Sequence, residues 1–271
     1  MLGALAGVAL YKKVMQSKFE TFRELHQGSG LFVLPNVWNV KSALFFQEKG
    51  IPAIATSSAA VAGSLGYEDG EGMPFSAYLF VISRILSSVQ IPLSVDMEMG
   101  YGKSEEEIYS NILRLIELGV VGINIEDSVG GSSGRVLKDA KVFAKMIGNI
   151  KNRLVLANLN LFINVRCDTF ILDVKNKQQE TRRRLMVYEA AGVDGIFLPC
   201  ICAEEDIAEA VTHTRLPLNV MCIPGLPDFD TLNELGVKRV SMGPFLFNRI
   251  YDNMDQLFQE VIAGKSSLET L

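Results

Sequence analysis

The sequence contains few of the residues from which zinc sites, disulfide frameworks and histidine-centred active sites are built. Its 271 residues include four cysteines and two histidines. No CxxC pair and no histidine at zinc-ligand spacing accompanies the cysteines, which are Cys167, Cys200, Cys202 and Cys222. We therefore expect the cysteines to be small buried residues in a reducing compartment, and we predict a cytoplasmic location.

An excess of basic residues and a long apolar run are also absent. The 26 basic and 31 acidic side chains give a formal net charge of -5, so the chain offers no basic surface for a nucleic acid. The N-terminal stretch MLGALAGVALYKK is apolar over about ten residues, whereas a membrane-spanning helix needs about 20. We expect neither a nucleic-acid nor a membrane partner, and we predict an N-terminal helical segment over residues 1–30.

A unit that recurs along the chain predicts the fold. An amphipathic stretch, a glycine beside a β-branched residue and a short apolar run follow one another in EKGIPAIATSS, ELGVVGINIED, EAAGVDGIFLPC and ELGVKRVSMG. This order is typical of a helix, a glycine C-cap and a buried parallel strand. Strands are predicted near 31–36, 53–57, 92–97, 122–126, 161–166, 195–199, 217–222 and 239–243, and helices between them at 40–49, 76–88, 104–118, 178–191 and 204–213.

Alternating strands and helices at this chain length favour a closed α/β barrel over an open doubly wound sheet. No GxGxxG motif follows the first strand, which argues against a dinucleotide-binding fold. We predict one domain over residues 1–271, a single (β/α)8 TIM-type barrel. Peripheral helices are expected at 1–30 and at 245–271.

The segment SVDMEMGYG indicates a metal site. Asp96 and Glu98 stand two residues apart at a strand end, so they share a face of the sheet. Like charges held so close favour a hard divalent cation between them. Glu126 ends the neighbouring strand. Asp69 lies in a glycine-rich loop beside the same end of the barrel, where the strands finish at their C-terminal ends; we call this opening the mouth. We predict Mg²⁺, with Mn²⁺ as an alternative; a solvated strand end and, for Asp69, a plain acidic turn are the competing interpretations.

Arg166 is a guanidinium inside an otherwise apolar strand, where burial is costly without an anionic partner. Two interpretations remain open: an ion pair with Glu126 or Asp168, or an anchor for a substrate anion or enolate. With a metal opposite, such an arginine faces the charge that develops when a bond beside a 2-oxo acid breaks. We predict Arg166 and Glu126 as catalytic residues, together with Tyr101 as a nearby proton relay.

A second group of residues is predicted to bind the substrate. Ser57, Ser58 and Ala59 follow a strand and supply hydroxyls and successive amides that suit a carboxylate, although such residues also form ordinary turns. Asn219 lies on the seventh predicted strand and is expected to contact the same ligand. Together these residues fit a small 2-oxo or 2-hydroxy carboxylate.

Six segments between Leu31 and Gly243 carry a family resemblance: LPNVWNVKSA, AIATSSAAVAGSLGYEDGE, SVDMEMGYG, GINIEDS, NVRCDTF and AGVDGIFLP. In order and spacing the chain resembles the isocitrate lyase and phosphoenolpyruvate mutase superfamily. The resemblance implies a barrel whose last helix is often exchanged between subunits, so we expect a homodimer or homotetramer. It implies that Asp96 ligates Mg²⁺ directly with Asp69, Glu98 and Glu126 around it, that Ser57, Ser58 and Ala59 hold the substrate carboxylate, and that Arg166 stabilises the oxyanion.

The segment after the fourth strand departs from the family pattern. Lyases of this superfamily carry a KxCGH-type loop there, and the mutase and its hydrolase relative carry a lysine and an asparagine. This chain has EDSVGGSSGRVLKDA, and no cysteine precedes Arg166. Its glycines and serines would still allow a mobile lid. We expect its cations Arg135 and Lys138 to be solvated, with contact to a second anionic substrate group as the alternative.

Three functions remain open. The leading hypothesis is a magnesium-dependent lyase that cleaves or forms a carbon-carbon bond next to a 2-oxo or 2-hydroxy carboxylate through a stabilised enolate, as oxaloacetate decarboxylase or methylisocitrate lyase does. The alternative is a phosphonomutase-like or phosphonopyruvate hydrolase-like enzyme that acts on a phosphorus-carbon bond. The third is a barrel that binds a metabolite without turnover. Elsewhere, His26 is expected to be a surface or helix-capping residue, and the run Arg182, Arg183 and Arg184 is expected to be one turn of a solvated helix or a subunit contact.

Overall fold

A ring of parallel strands organises the computed structural model, which describes residues 2–131 and 134–263. The strands are β1 (Phe32–Leu34), β2 (Asn36–Val37), β3 (Ile54–Thr56), β4 (Leu93–Asp96), β5 (Gly122–Glu126), β6 (Ser128–Gly131), β7 (Gly134–Leu137), β8 (Phe162–Arg166), β9 (Gly195–Leu198), β10 (Leu218–Met221) and β11 (Arg239–Ser241). In the main sheet the hydrogen-bonded order is β1-β11-β10-β9-β8-β5-β4-β3-β2, and β6 pairs with β7 alone.

The first predicted strand closes the ring in two pieces. Pro35 separates β1 from β2, because its nitrogen has no hydrogen to donate to a ladder. β1 pairs in parallel with β11, and β2 pairs in parallel with β3. The side chain of Asn36 spans the seam, since its Oδ1 accepts hydrogen bonds from the amides of Met242 and Gly243 at 2.8 and 2.9 Å. Counted as one, β1 and β2 complete the eight strands of the predicted (β/α)8 barrel, which is confirmed.

The helices surround this ring, and the five helices predicted between the strands are present with ends that agree within two residues, while the N-terminal helix ends three residues before its predicted end. Three further helices, α3, α6 and α9, and the β6-β7 hairpin were not predicted. Within the described ranges, no helix combines the length and apolar character needed to cross a membrane. The helices are α1 (Leu2–Gln27), α2 (Val40–Glu48), α3 (Ser58–Ser64), α4 (Phe75–Leu86), α5 (Glu105–Leu118), α6 (Ala140–Leu156), α7 (Lys177–Ala190), α8 (Glu204–Thr212), α9 (Phe229–Glu234) and α10 (Phe245–Ile262).

The ends of α5, which follows β4, illustrate how local sequence determines an element. The Ser104 hydroxyl accepts a hydrogen bond from the amide of Glu107, and three glutamates occupy the first turn, where they interact favourably with the helix dipole. Gly119 ends the helix in the left-handed conformation at φ 106°, which costs glycine little. The chain therefore turns from β4 into α5 at a defined point and fixes the loop that carries Glu98 and Tyr101.

Helix α1 covers the N-terminal end of the barrel. Phe22 is fully buried, and its ring packs edge-on against Phe162 with centroids 5.5 Å apart. A Cβ atom on Gly122 would lie 2.8 Å from the Phe22 ring, so the close approach of the helix requires a glycine there. The predicted N-terminal helical segment thus packs onto the barrel through its last turns.

His26 is buried, so the prediction of a surface position was wrong. Its Nδ1 lies 2.8 Å from the carbonyl oxygen of Phe22, and its Nε2 lies 3.3 Å from Nη1 of Arg239. Burial and the positive charge of Arg239 lower the pKa of His26 to about 3. A neutral ring that donates from Nδ1 and accepts at Nε2 fits both contacts.

The cysteines only partly fulfil the prediction of burial. Cys167 is buried, Cys200 and Cys202 are partly buried, and Cys222 is exposed. All four cysteines follow the ends of strands β8, β9 and β10 and lie outside the strands themselves. Residues 264–271 of the predicted C-terminal helix lie outside the described residues.

The variant His26→Gln should weaken the dependence of stability on acid pH. An unfolded histidine has a pKa of about 6.5, so below that pH the unfolded chain gains a proton that folded His26 does not take up. The free energy of unfolding should fall between pH 6.5 and 3, and His26 should account for about 2 kcal/mol at pH 5 relative to pH 8. Urea unfolding of wild type, His26→Gln and the exposed control His213→Gln at both pH values tests this; equal pH effects in all three would contradict it.

Candidate active site

Two carboxylates meet at one hydroxyl where β4 ends. Oγ of Ser58, the first residue of α3, lies 2.9 Å from Oδ2 of Asp96 and 3.3 Å from Oδ1 of Asp69. The backbone of Asp96 is held in place, because its amide donates to Oγ1 of Thr56 at 3.0 Å and its carbonyl accepts from the Tyr78 hydroxyl at 3.0 Å. The structure therefore brings together the predicted ligands Asp96 and Asp69.

Burial and mutual repulsion outweigh the positive charge that acts on this group of carboxylates. Burial raises the pKa of Asp96, and the charge of Asp69 adds to that rise, while Arg166 opposes it. Burial also raises the pKa of Glu98 to about 7, and Asp96 and Asp69 contribute to the rise. A divalent cation at this position would relieve the repulsion, and it suits oxygen ligands.

Glu98 and Tyr101 occupy a strained turn that a neighbouring loop holds closed. Both residues have positive φ angles, 49° and 53°, a conformation that is uncommon for residues other than glycine. Oε1 of Glu98 accepts a hydrogen bond from the Tyr101 hydroxyl at 2.5 Å, and its Oε2 accepts one from the Glu71 amide at 2.6 Å. Glu71 in turn accepts a hydrogen bond from the Tyr101 amide. The sequence interpretation missed Glu71, which had no strand or helix pattern to mark it.

The Tyr101 hydroxyl stays protonated and acts as a hydrogen-bond donor. Burial and the charge of Glu98 raise the pKa of its hydroxyl far above the ordinary value. The phenol therefore keeps its proton and positions the Glu98 carboxylate. A proton relay through Tyr101 stays a prediction.

Four charged side chains form a closed ring on the other side of the mouth. Glu126 Oε1 lies 2.8 Å from Arg135 Nη1, and Glu126 Oε2 lies 2.9 Å from Arg166 Nη1. Asp168 contacts both arginines, at 2.6 Å from Nε of Arg166 and at 3.6 Å from Nη1 of Arg135. We name this group the four-charge ring. Arg166 thus pairs with both Glu126 and Asp168, one of the two interpretations left open above.

Arg135 is not the solvated loop charge that was expected. It lies on β7, opposite Gly130 in the hairpin, and reaches Glu126, which is almost fully buried. The segment rich in glycine and serine was read as a loop, because a glycine-rich strand has a weak pattern. Lys138 follows the hairpin, and its Nζ donates to the carbonyl oxygen of Glu126 at 3.3 Å.

The predicted set of four metal ligands is not assembled as one preformed cage. Across residues 2–131 and 134–263, no group of three or more histidine, cysteine, aspartate or glutamate side chains is arranged to hold a metal ion. Both oxygens of Glu126 face guanidinium groups, and Glu98 is bound by Tyr101 and Glu71. Mg²⁺ commonly uses one or two carboxylates and keeps several waters. Asp96 and Asp69 therefore fit this ion best.

Asn219 lies inside the barrel, where neighbouring strands occupy its side chain, and its predicted contact with a substrate stays a prediction. Its Oδ1 accepts a hydrogen bond from Arg239 at 2.6 Å, and its Nδ2 donates to the carbonyl oxygen of Val220 at 2.7 Å. Asn164 and Ser241 also contact it. Because these partners satisfy its polar atoms inside the barrel, Asn219 supports the core.

The segment Ser57 to Ala59 begins helix α3 and is not a simple turn. The Ser57 hydroxyl is the N-cap and accepts a hydrogen bond from the Ala60 amide at 3.3 Å. Ser58 contacts the carboxylates described above, and Ala59 lies half-buried in the first turn. That these residues bind a substrate carboxylate stays a prediction.

A second buried network fixes the end of β5 to helix α7. Asp127 is fully buried, and its Oδ2 accepts hydrogen bonds from Arg184 Nη1 at 2.8 Å and from the Tyr188 hydroxyl at 2.6 Å. Its Oδ1 accepts a hydrogen bond from the Asp168 amide at 2.9 Å. The expectation that Arg184 is solvated was wrong, since its side chain is only 4% exposed.

Replacing Arg184 should destabilise the protein far more than replacing Arg182. The variant Arg184→Met leaves the Asp127 charge buried without its cation, which should cost about 3–5 kcal/mol. Arg182 has a 42% exposed side chain and pairs with Glu209 at 2.7 Å, so Arg182→Met should cost less than about 1 kcal/mol. Urea unfolding measures the free energy of unfolding of both variants. Similar losses would show that the buried pair of Arg184 and Asp127 contributes no more to stability than the exposed pair.

The sequence of this chain is similar to that of a known protein family and to individual proteins. The family model described as phosphoenolpyruvate phosphomutase matches residues 22–262. Uncharacterized protein Rv1998c of Mycobacterium tuberculosis is 36% identical over 223 residues, which cover 82% of this chain and 81% of that protein. The 2-methylisocitrate lyase of Aeropyrum pernix is 28% identical over 214 residues, or 77% of this chain and 67% of the lyase.

Solved structures share the same fold. A provisionally named phosphonomutase from Burkholderia cenocepacia J2315 superposes with a TM-score of 0.83 at 33% identity, covering 89% of this chain and 99% of that one. Solved structures of this fold include a phosphonopyruvate hydrolase in complex with oxalate and Mg²⁺. These similarities agree with the resemblance of the sequence motifs to the isocitrate lyase and phosphoenolpyruvate mutase superfamily.

Proposed function

This chain belongs to the phosphoenolpyruvate phosphomutase family, a group of lyases and mutases, and we propose that it is a magnesium-dependent carbon-carbon lyase. Its substrate is a 2-oxo or 2-hydroxy carboxylate, and the bond that breaks or forms lies beside the oxo or hydroxy carbon. The observation that carries the proposal is the pair Asp96 and Asp69 around Ser58, which faces the positive charge of Arg166 across the mouth.

The two sides of the mouth divide the chemistry between them. When bound by Asp96 and Asp69, Mg²⁺ supplies a Lewis acid that orients the oxo acid and attracts developing negative charge. Arg166 supplies a positive charge whose position is fixed, because Glu126 and Asp168 hold three of its nitrogen atoms. A charge fixed in advance in a buried site stabilises an enolate oxygen without reorganisation.

The remaining residues keep this arrangement rigid. Thr56 and Tyr78 hold the backbone at Asp96, and Tyr101 holds the carboxylate of Glu98. The hairpin has neither the cysteine of the lyases nor the lysine and asparagine of the mutase. The hairpin thus matches neither group of enzymes. For this reason the cleavage of a phosphorus-carbon bond remains the first alternative, and binding without turnover is the second.

Removing the Asp96 charge should abolish turnover. Purified protein with Mg²⁺ is assayed against oxaloacetate, 2-methylisocitrate and phosphonopyruvate, and we expect turnover of one of the two carbon substrates. The variant Asp96→Asn should lose activity by about 100-fold or more, since it removes a charged ligand of the proposed ion. Glu48→Gln, an exposed change on the outside of α2, is the control and should retain wild-type activity.

The outcome of this assay separates the three functions. Turnover of phosphonopyruvate alone favours the phosphorus-carbon alternative, and Mg²⁺-dependent oxalate binding without turnover favours the binding protein. Activity that survives Asp96→Asn would rule out the proposed metal site.

We further propose that helix α10 packs against a second copy of the chain. None of its residues is buried, and its exposed apolar side chains recur at helical spacing along one stripe. These are Ile250, Met254, Leu257, Phe258 and Val261. Exposed apolar area of this extent is typical of an interface.

Light scattering after size-exclusion chromatography tests this packing. Wild type should elute as a dimer or tetramer, and Leu257→Asp with Phe258→Asp should shift the population to monomer. Asn253→Asp, on the same exposed helix, is the matched control and should leave the mass unchanged. A monomeric wild type would contradict the proposal.

A further inference from the structure

Arg135 extends across the mouth of the barrel from the hairpin. Its Nη1 contacts Glu126 at the end of β5, and its Nη2 would lie 3.6 Å from a Cβ atom built on Gly70. Gly70 belongs to the loop that also carries Asp69 and Glu71. The guanidinium of Arg135 therefore lies between the loop with the proposed metal ligand and Glu126.

The two arginines of the ring differ in how many donors remain available. Arg166 uses Nη1 towards Glu126 and both Nε and Nη2 towards Asp168. Arg135 uses only Nη1, and its Nε and Nη2 have no hydrogen-bond partner among the described residues. Its side chain is 25% exposed, whereas that of Arg166 is 15% exposed. An incoming anion thus finds on Arg135 a whole edge, formed by Nε and Nη2, without a partner among the described residues, whereas each nitrogen of Arg166 already contacts a carboxylate.

We propose that Arg135 is a specificity-determining residue that binds a second carboxylate of the substrate. The inference rests on the proposed function, and it names the residue that recognises the second carboxylate of a 2-oxo or 2-hydroxy dicarboxylate. One end of such a molecule binds beside Asp96 and Asp69, and the second carboxylate reaches the unused edge of Arg135. A planar guanidinium binds a carboxylate through two parallel hydrogen bonds, which adds geometric selectivity.

The charges at the mouth agree with this assignment. Within the four-charge ring, two carboxylates and two guanidiniums balance. A substrate carboxylate can bind the free edge of Arg135 without displacing Glu126, because a guanidinium has five N–H donors. Lys138 is a weaker candidate, since its Nζ contacts the carbonyl oxygen of Glu126 and lies 5.2 Å from the centre of the Phe143 ring.

A structural role for Arg135 is the competing explanation. The ion pair with Glu126 also fastens the hairpin to the barrel, so losing it could disturb the mouth as a whole. The two roles differ in one respect: a fastening role affects every ligand of the site, whereas recognition of a second carboxylate affects only ligands that possess one at the far end.

Calorimetric titration in the presence of Mg²⁺ with oxalate and with malate separates these roles. Oxalate mimics the planar oxo-acid end, and malate is a stable 2-hydroxy acid with a second carboxylate. We expect Arg135→Gln to weaken malate binding by about tenfold or more, as the loss of a charged hydrogen-bonding pair implies, and to change oxalate binding by less than about twofold. Arg135→Lys keeps the positive charge but loses the planar guanidinium that forms two parallel hydrogen bonds. Its affinity for malate should lie between those of wild type and Arg135→Gln.

The control is Val136→Ala, an exposed neighbour on the same strand of the hairpin, which should bind both ligands as wild type does. Parallel loss of oxalate and malate binding in Arg135→Gln and Arg135→Lys would overturn the inference in favour of a fastening role. Unchanged malate binding in both variants, or a wild type that binds oxalate but not malate, would also overturn it. A wild type that binds neither ligand with Mg²⁺ would overturn the proposed function itself.

Discussion

The buried charge of Glu126 is the constraint on which the candidate site depends. A carboxylate so deeply buried is costly unless cations and hydrogen bonds compensate it. Arg166 lies on the adjacent strand β8, directly paired with Glu126 in the sheet register, and Arg135 supplies the second guanidinium from the hairpin. Ion pairs with this one carboxylate therefore place Arg166 beside Arg135 and bring the hairpin over the mouth, while Asp168 provides the hydrogen bonds that orient Arg166.

The mouth consequently has two electrostatically different sides. Around Ser58, the carboxylates of Asp96 and Asp69 face each other with no cation between them among the described residues. In the four-charge ring, positive and negative groups balance. The first side has the composition of a divalent metal site, and the second presents fixed positive charge to an anion. A small acid with two functional ends suits a mouth divided in this way.

The opposite end of the barrel serves stability. Arg239 is buried there among Asn124, Asn219 and His26, and burial lowers its pKa to about 9. Helix α1 covers this end with aromatic rings around His26. Polar residues of a barrel thus carry different roles at its two ends, as is general for this architecture.

The sequence by itself determined the order of strands and helices, because glycine C-caps and apolar runs depend only on residues that are close together in the chain. It also determined that Asp96, Glu126 and Arg166 stand at strand ends. Tertiary structure alone decided which of these side chains meet. Arg135 reaches Glu126 through an antiparallel hairpin with a weak pattern, and Asn219 and His26 become core residues because partners at least 20 positions away in the chain help to enclose them. Neither a weakly patterned hairpin nor partners so far apart in the sequence leave a local periodicity that a single sequence could reveal.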